Sequence, residues 1–402
     1  MKILIYRAYQ FITHLVTMIV PWHEPILIEG PNSVLKLPAQ LVKDGVKHPL
    51  LVTGPTLHRL GVTDMLVAAL VEKGITSIVF DRVANDPTIA NVEDAFACYI
   101  ENQCDAIIAF GGGSPLDCAK LCGARVARPS RTIAQMKGML RVQHALPPLY
   151  AVPTTSGTGS EVTIAAVVTD EHHRKYAVGD FCLIPRVAVL DPTLTLGMPK
   201  NVTAASGMDA LCHAVESYIG RSNTAYTRTN ALKAVRLVFA NLEQAYADGT
   251  DLPARTAMQQ AAYFAGLAFT RAYVGYVHAI AHAIGGRYGI AHGVACAVAM
   301  PVILRAYGKE GQPALAELAL AAGVATADQP LPARAEAFIH ALESLNARLD
   351  LPIGFEPLQA SDIPTLAAQA AQEGNLAYPT PKILFQPDLE QVLYTLLAKN
   401  AA

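Results

Sequence analysis

Three of the twelve histidines fall within residues 275–293, in the run GYVHAIAHAIGGRYGIAHG. His278 and His282 are four residues apart, so on a helix they project from one face, one turn apart. Gly285-Gly286 ends the helix in this reading, and a short loop brings up His292. The surrounding Ala, Ile and Val suit a buried helix. A single histidine there is a core residue with a satisfied ring, but three in so apolar a stretch point to a metal or catalytic site. Neutral imidazole is a common metal ligand, yet a divalent ion needs more than two such donors, and the run contains no carboxylate.

A complementary pair lies at 206–216, SGMDALCHAVE. Asp209 and His213 are four apart and share a helix face among apolar neighbours. A bare carboxylate in a low dielectric is costly and needs a strong partner. Asp209 pairing with His213 alone is one way to meet that cost. The other is a shared ion: with His278 and His292 the pair offers one oxygen and three nitrogens, a donor set for a divalent transition metal. An open coordination position would make such a metal catalytic.

The elements that must position these residues differ between the halves of the chain. Up to about residue 195, short runs hydrophobic on both faces alternate with helical segments: PLLVT at 49–53, SIVF at 77–80 and AIIAF at 106–110. This is the pattern of a parallel sheet covered on both sides. The strand at 106–110 runs into Gly111-Gly112-Gly113-Ser114, and Pro115 opens a helix. Glycines let backbone N–H groups approach a ligand, and the helix N-terminus adds a positive dipole end, so the turn suits a pyrophosphate. It is neither G-x-G-x-x-G nor a Walker A sequence. The loop PTTSGTGSE at 153–161 offers small hydroxyls for a sugar or phosphate. Residues 190–202, with two prolines and a glycine, form the best boundary, and beyond them the chain is Ala- and Leu-rich and helical. The expected organisation is an α/β dinucleotide-binding domain with a parallel sheet over 1–195 and an all-α metal-binding domain over 196–402.

Composition limits the alternatives. With 52% hydrophobic and 16% charged residues, 402 residues suffice for two buried cores. A net charge of -2 argues against a nucleic-acid partner. Seven cysteines, an odd number without a CxxC pair, do not form a disulfide framework and fit a reducing cytoplasm. Lys2 and Arg7 precede an apolar run at 11–20 that looks like a weak signal peptide. His14 interrupts the run, no A-x-A site follows, and ten residues cannot span a bilayer. Residues 1–28 therefore read as an extension or a pairing strand, with no membrane partner.

Four segments together, GGGSPLDCAK at 111–120, PTTSGTGSE at 153–161, SGMDALCHAVE at 206–216 and VHAIAHAIGGRYGIAHG at 277–293, resemble the iron-containing (group III) alcohol dehydrogenases. The resemblance runs from about Glu29 to the C-terminus. It implies interconversion of an alcohol and an aldehyde or ketone by hydride transfer with NAD or NADP, one divalent metal, Fe(II) or alternatively Zn(II), and a homo-oligomer of two or more subunits. It places the metal ligands on Asp209, His213, His278 and His292, and His282 beside the metal in the substrate pocket as the catalytic candidate. Spacing alone would have chosen His282 as a ligand. Gly112, Gly113 and Ser114 match the pyrophosphate turn, and Gly54, Asp117, Thr154, Thr155, Thr158, Val167 and Lys175 match other cofactor-lining positions.

Two rival reactions on this scaffold are polyol oxidation like that of glycerol dehydrogenases and a non-redox elimination like that of dehydroquinate synthases. The first typically has three protein ligands on zinc. The second needs several basic residues near the metal motifs, which this chain lacks. Two details bear on specificity. Many relatives carry Asp after the first strand of the nucleotide unit, where this chain has Gly54, so NADP is expected to be accepted. Arg271 and Tyr273 precede the metal-binding helix, and a guanidinium turned towards substrate would favour an acid group.

Overall fold

The computed structural model describes residues 2–20, 22–171 and 174–399. The chain divides into two compact units, 21–198 and 199–402 together with 1–20. In the first, six parallel strands lie in the order Ile26–Glu29, Val187–Leu190, Leu149–Pro153, Ala106–Gly111, Pro49–Val52, Ile78–Phe80. The four inner strands are buried along their whole length, which is why they read as unbroken apolar runs rather than alternating ones. The strand order reverses direction at Pro49–Val52, whose neighbours are Ala106–Gly111 and Ile78–Phe80. The carboxyl ends of strands at such a reversal are where open α/β sheets receive ligands. A second sheet of Gly138–Met139, Lys175–Gly179 and Ala165–Thr169 is not evident in the sequence pattern.

The other unit contains helices and no strand among the described residues. Its centre is the helix Lys200–Ile219, buried continuously from Gly207 to Ile219 and packed by the helices Ala225–Ala247, Leu252–Ala272 and His292–Ala306. Glycines allow the close approach. A Cβ on Gly207 would collide with Leu242, and one on Gly293 with the Ala205 carbonyl.

Residues 1–28, read as an extension or a pairing strand, divide between the two: Ile26–Glu29 pairs with Val187–Leu190, and the helix before it is an extension. Lys2–Ile19 is an α-helix, not a pairing strand, and it packs on the helix Ile363–Ala377 of the helical unit. The physical reason is visible in its polar residues. Arg7, Gln10, His14 and Thr17 recur every three or four positions, a helical period, where a strand would alternate. No helix among the described residues is long and apolar enough to cross a membrane.

Candidate metal centre and nucleotide-binding turn

Asp209, His213 and Glu216 project from the buried stretch of the helix Lys200–Ile219. His278 and His282 lie on the helix Tyr276–Tyr288, and His292 opens the helix His292–Ala306. The Asp209 Oδ1 atom is 3.4 Å from His292 Nε2, 3.8 Å from His213 Nδ1 and 3.9 Å from His278 Nε2. These separations are too long for hydrogen bonds. Donors each 2.0–2.2 Å from one tetrahedral ion stand about 3.3–3.6 Å apart, so the spacing is close to that of a shared cation. Asp209 Oδ1 and His278 Nε2 are buried and make no hydrogen bond among the described residues. Leaving such atoms unpaired is expensive, and a cation between them removes the cost. Burial pushes the Asp209 carboxyl up to about 6, with His278 and His282 pulling it back down. The residues present therefore fit a divalent ion.

Glu216, which sequence reasoning did not single out, organises this cluster. Its carboxylate accepts from the backbone N–H groups of Gly275 and Val277, each at 2.8 Å, and contacts His278 Nδ1 at 2.6 Å. The first two bonds satisfy donors at the start of the Tyr276–Tyr288 helix. The third fixes the tautomer: Nδ1 carries the proton and the Nε2 lone pair faces Asp209. A Cβ on Gly275 would come within 2.6 Å of Glu216 Oε1, so glycine is needed there. The signal was present in the sequence, since Glu216 sits seven residues after Asp209 on the same helix face.

Cys296 was also missed. Donor atoms of Asp209, His278, His292 and Cys296 lie within 4.8 Å of one another, a tighter group than one including His213. Burial, aided by the nearby Asp209 and Glu216 charges, pushes its thiol up to about 11. A neutral thiol is a poorer donor than imidazole. His213 is held by Phe269, whose ring stacks on it with centroids 4.1 Å apart. His282 stands outside the ligand group, its ring stacked on His292 at 5.2 Å. Its Nδ1 is 2.7 Å from Glu373 Oε1, which also accepts from the Tyr378 hydroxyl at 2.5 Å. Burial raises the Glu373 carboxyl, but the His282 charge and the bonds from His282 and Tyr378 outweigh it and hold the group below its usual value. Glu373 lies far along the chain from His282 and carries no local signal. Arg271 lies in the last turn of its helix, and its charge adds to burial in lowering the His14 pKa, so it has a neighbour in the N-terminal helix.

In the α/β unit, the turn at 111–114 and the loop at 153–160 leave adjacent strand ends, with Gly111 opposite Pro153 in the ladder. Gly111 has φ +147, a backbone closed to ordinary side chains, and its carbonyl accepts from Thr154 N–H at 2.9 Å. A Cβ on Gly112 would meet Thr155 Cγ2 at 3.2 Å, and one on Gly113 would meet Thr158 Cγ2 at 2.7 Å. The turn and the threonine loop thus form one packed surface at the start of the helix Gly113–Ala127. Asp117 lies beneath it, half-buried, accepting from Ser160 Oγ at 2.8 Å and Val167 N–H at 2.9 Å. Lys120 donates to the Thr163 and Ala165 carbonyls, fastening the far side of the loop. Ser114 Oγ bonds the Asn85 carbonyl and Lys175 Nζ pairs with Asp86 at 2.7 Å, so both reach the loop after Ile78–Phe80. Gly54 caps the short helix Pro55–Arg59 at the end of the Pro49–Val52 strand.

Comparison with known proteins accords with this geometry. A family model described as iron-containing alcohol dehydrogenase matches residues 25–192, and one for the C-terminal part of the Fe-containing alcohol dehydrogenase family matches 203–397. The chain is 38% identical over 359 residues to 1,3-propanediol dehydrogenase of Citrobacter freundii, covering 88% of this chain and 92% of that one. It is 33% identical to NAD-dependent methanol dehydrogenase of Bacillus methanolicus, covering 93% and 98%. The structure of an alcohol dehydrogenase from Oenococcus oeni superposes with a TM-score of 0.90 at 33% identity, covering 94% of this chain and 99% of that one. With both halves matched, this chain belongs to the iron-containing alcohol dehydrogenase family.

Proposed function

We propose that the protein interconverts a small alcohol and its aldehyde or ketone, using a nicotinamide nucleotide and one divalent metal held by Asp209, His213, His278 and His292. The observation that carries this reading is the buried Asp209 oxygen facing three imidazoles at 3.4–3.9 Å without a hydrogen bond. Membership of the family supports redox chemistry over a non-redox reaction on the same scaffold. When bound, the metal supplies Lewis-acid pull on the substrate oxygen, and the nicotinamide accepts or returns the hydride.

The chain's own residues do the rest. Glu216 keeps the His278 lone pair aimed at the ligand group. Glu373 remains a carboxylate and orients His282 through Nδ1, stabilising the ring when it takes up the alcohol proton and passes it on. The turn at 111–114, with Thr154, Thr155 and Thr158 beside it, receives the pyrophosphate on backbone N–H groups and hydroxyls. Three imidazoles and one carboxylate accept Fe(II) or Zn(II), and Fe(II) is the assignment made here.

The test is NAD(P)H formation by anaerobically purified protein reconstituted with Fe(II) or Zn(II), across a series of short alcohols and diols. Alcohol-dependent turnover that disappears on chelation and returns with metal is expected. Full activity in thoroughly chelated protein would refute the metal assignment, and no turnover with any alcohol or aldehyde would refute the reaction.

A further inference from the structure

The N-terminal helix Lys2–Ile19 is turned with its polar side inward. Arg7 donates to the carbonyls of Thr380 at 2.7 Å and Pro381 at 3.0 Å. Gln10, itself buried, donates to those of Asn375 at 3.0 Å and Tyr378 at 2.9 Å. Thr17 is buried on the same side. The opposite half of the helix carries Leu4, Phe11, Ile12, Leu15, Met18 and Ile19, which are 42–79% exposed. At about 200 Å² for a fully exposed large side chain, these six alone present on the order of 700 Å² of apolar surface. The largest apolar patch of a typical soluble monomer is roughly 300–600 Å² and tends to be functional. Rolling the helix to hide this face would break four hydrogen bonds to carbonyls, so its orientation is fixed.

We propose that this face lies flat on a lipid surface carrying anionic headgroups, holding the enzyme at the membrane without spanning it. Three observations select a lipid surface over a second copy of the chain. First, a protein interface carries roughly one hydrogen bond per 100–200 Å² and a polar rim. The exposed apolar half of this helix offers only the Tyr9 hydroxyl among its large side chains. Second, the apolar half-cylinder is far wider than the narrow seam of paired helices, and matches an interfacial helix with half its girth in the acyl boundary. Third, the charge is complementary. Lys2 is exposed at the start of the helix, and residues 2–23 contain no acidic side chain, Glu24 being the first; Arg7 is engaged by the Thr380 and Pro381 carbonyls. Cations near an anionic leaflet add to apolar insertion.

The experiment is flotation of the full-length protein with phosphatidylcholine vesicles, pure or containing about 30% phosphatidylglycerol as anionic lipid. The wild-type chain should float with the anionic vesicles and several-fold less with the neutral ones. The double substitution Phe11→Glu, Leu15→Glu, on two outward side chains, should lower the partition coefficient at least tenfold with turnover and melting temperature unchanged. Hydrogen exchange on the wild-type chain gives a reading independent of any variant, with residues 2–19 slowed by anionic vesicles. A wild-type chain that stays unbound and unprotected overturns the proposal, and so does a double variant that floats as well as wild type. If the substitutions instead dissociate an oligomer in sedimentation while vesicles have no effect, a second copy occupies the face and the proposal fails.

Discussion

The turn after the Ala106–Gly111 strand and the cluster around Asp209 present different kinds of group. The turn offers backbone N–H groups and threonine hydroxyls, and its charged neighbours Asp117 and Lys120 are spent on holding the loop. The cluster offers ionisable side chains in a dry environment, aimed by a second layer of carboxylates, Glu216 and Glu373. A backbone site is defined by where side chains are absent. A metal site is defined by which side chains are present and which atom of each points inward. The two should fail differently, and separately.

The largest effect tests that separation. His278→Ala removes a ligand and leaves Asp209 and Glu216 buried without their imidazole. Metal content should fall to near background and turnover by about 10³-fold or more, while NAD(P)H binding, read by fluorescence, stays within about threefold. His282→Ala should retain the metal. Should His282→Ala empty the site and His292→Ala leave it full, the ligand assignment is wrong.

Glu216→Gln sharpens the claim about the second layer. Gly275 and His278 bond one carboxylate oxygen and Val277 the other, so an amide, with one oxygen and one NH2 group, leaves at least one of these donors facing another donor. Outer-layer substitutions of this kind cost about 10–100-fold in metal affinity. Competition with a chromophoric chelator measures it. An unchanged affinity would reduce Glu216 to a helix cap.

Legibility in the sequence followed the same division. The parallel sheet announced itself because strands buried on both faces have no polar positions, and the glycine turn because it follows a strand and opens a helix. Asp209, His213 and His278 were visible through their i, i+4 spacing. Glu216 was readable on that face, seven residues after Asp209. Cys296 was readable too, one helical turn after His292, but Glu373 was hidden: what matters about it is tertiary proximity, which spacing along the chain does not encode. The N-terminal segment was legible only as an extension or a pairing strand, and the period of Arg7, Gln10, His14 and Thr17 is what marks it as a helix.

Gly113→Ala probes the turn by adding one carbon. That Cβ would stand 2.7 Å from Thr158 Cγ2, so the threonine or the helix start must shift. Overpacking of this kind costs about 1–3 kcal/mol, and the displaced atoms are those proposed to face the phosphates. NAD(P)H affinity should fall roughly five- to a hundredfold while metal content holds. A loss of metal with nucleotide binding intact would invert the comparison.

The smallest effect concerns which nucleotide the turn receives. An acidic residue after the first strand of a dinucleotide unit bonds the adenosine ribose and repels a 2′-phosphate. Here that strand, Pro49–Val52, is followed by Thr53 and Gly54, neither of them charged. Arg59, exposed in the last turn of the short helix that Gly54 caps, is a cation a few residues from the vacant position. A carboxylate does stand at the end of the neighbouring strand, Asp81, whose Oδ2 lies 3.8 Å from His58 Nε2. Without a carboxylate at the Gly54 position, NADP(H) should meet less repulsion there and can gain Arg59 as a cationic partner. The ratio of kcat/KM for the two cofactors should lie within about tenfold, or ~1.4 kcal/mol. Gly54→Asp should then push it towards NAD(H) by about ten- to a hundredfold, since a like charge near the 2′-phosphate costs ~1–3 kcal/mol in a partly solvated site. A wild-type preference for NAD(H) beyond a hundredfold, ~2.7 kcal/mol, would mean that another group, Asp81 first among them, already does the work of the missing carboxylate.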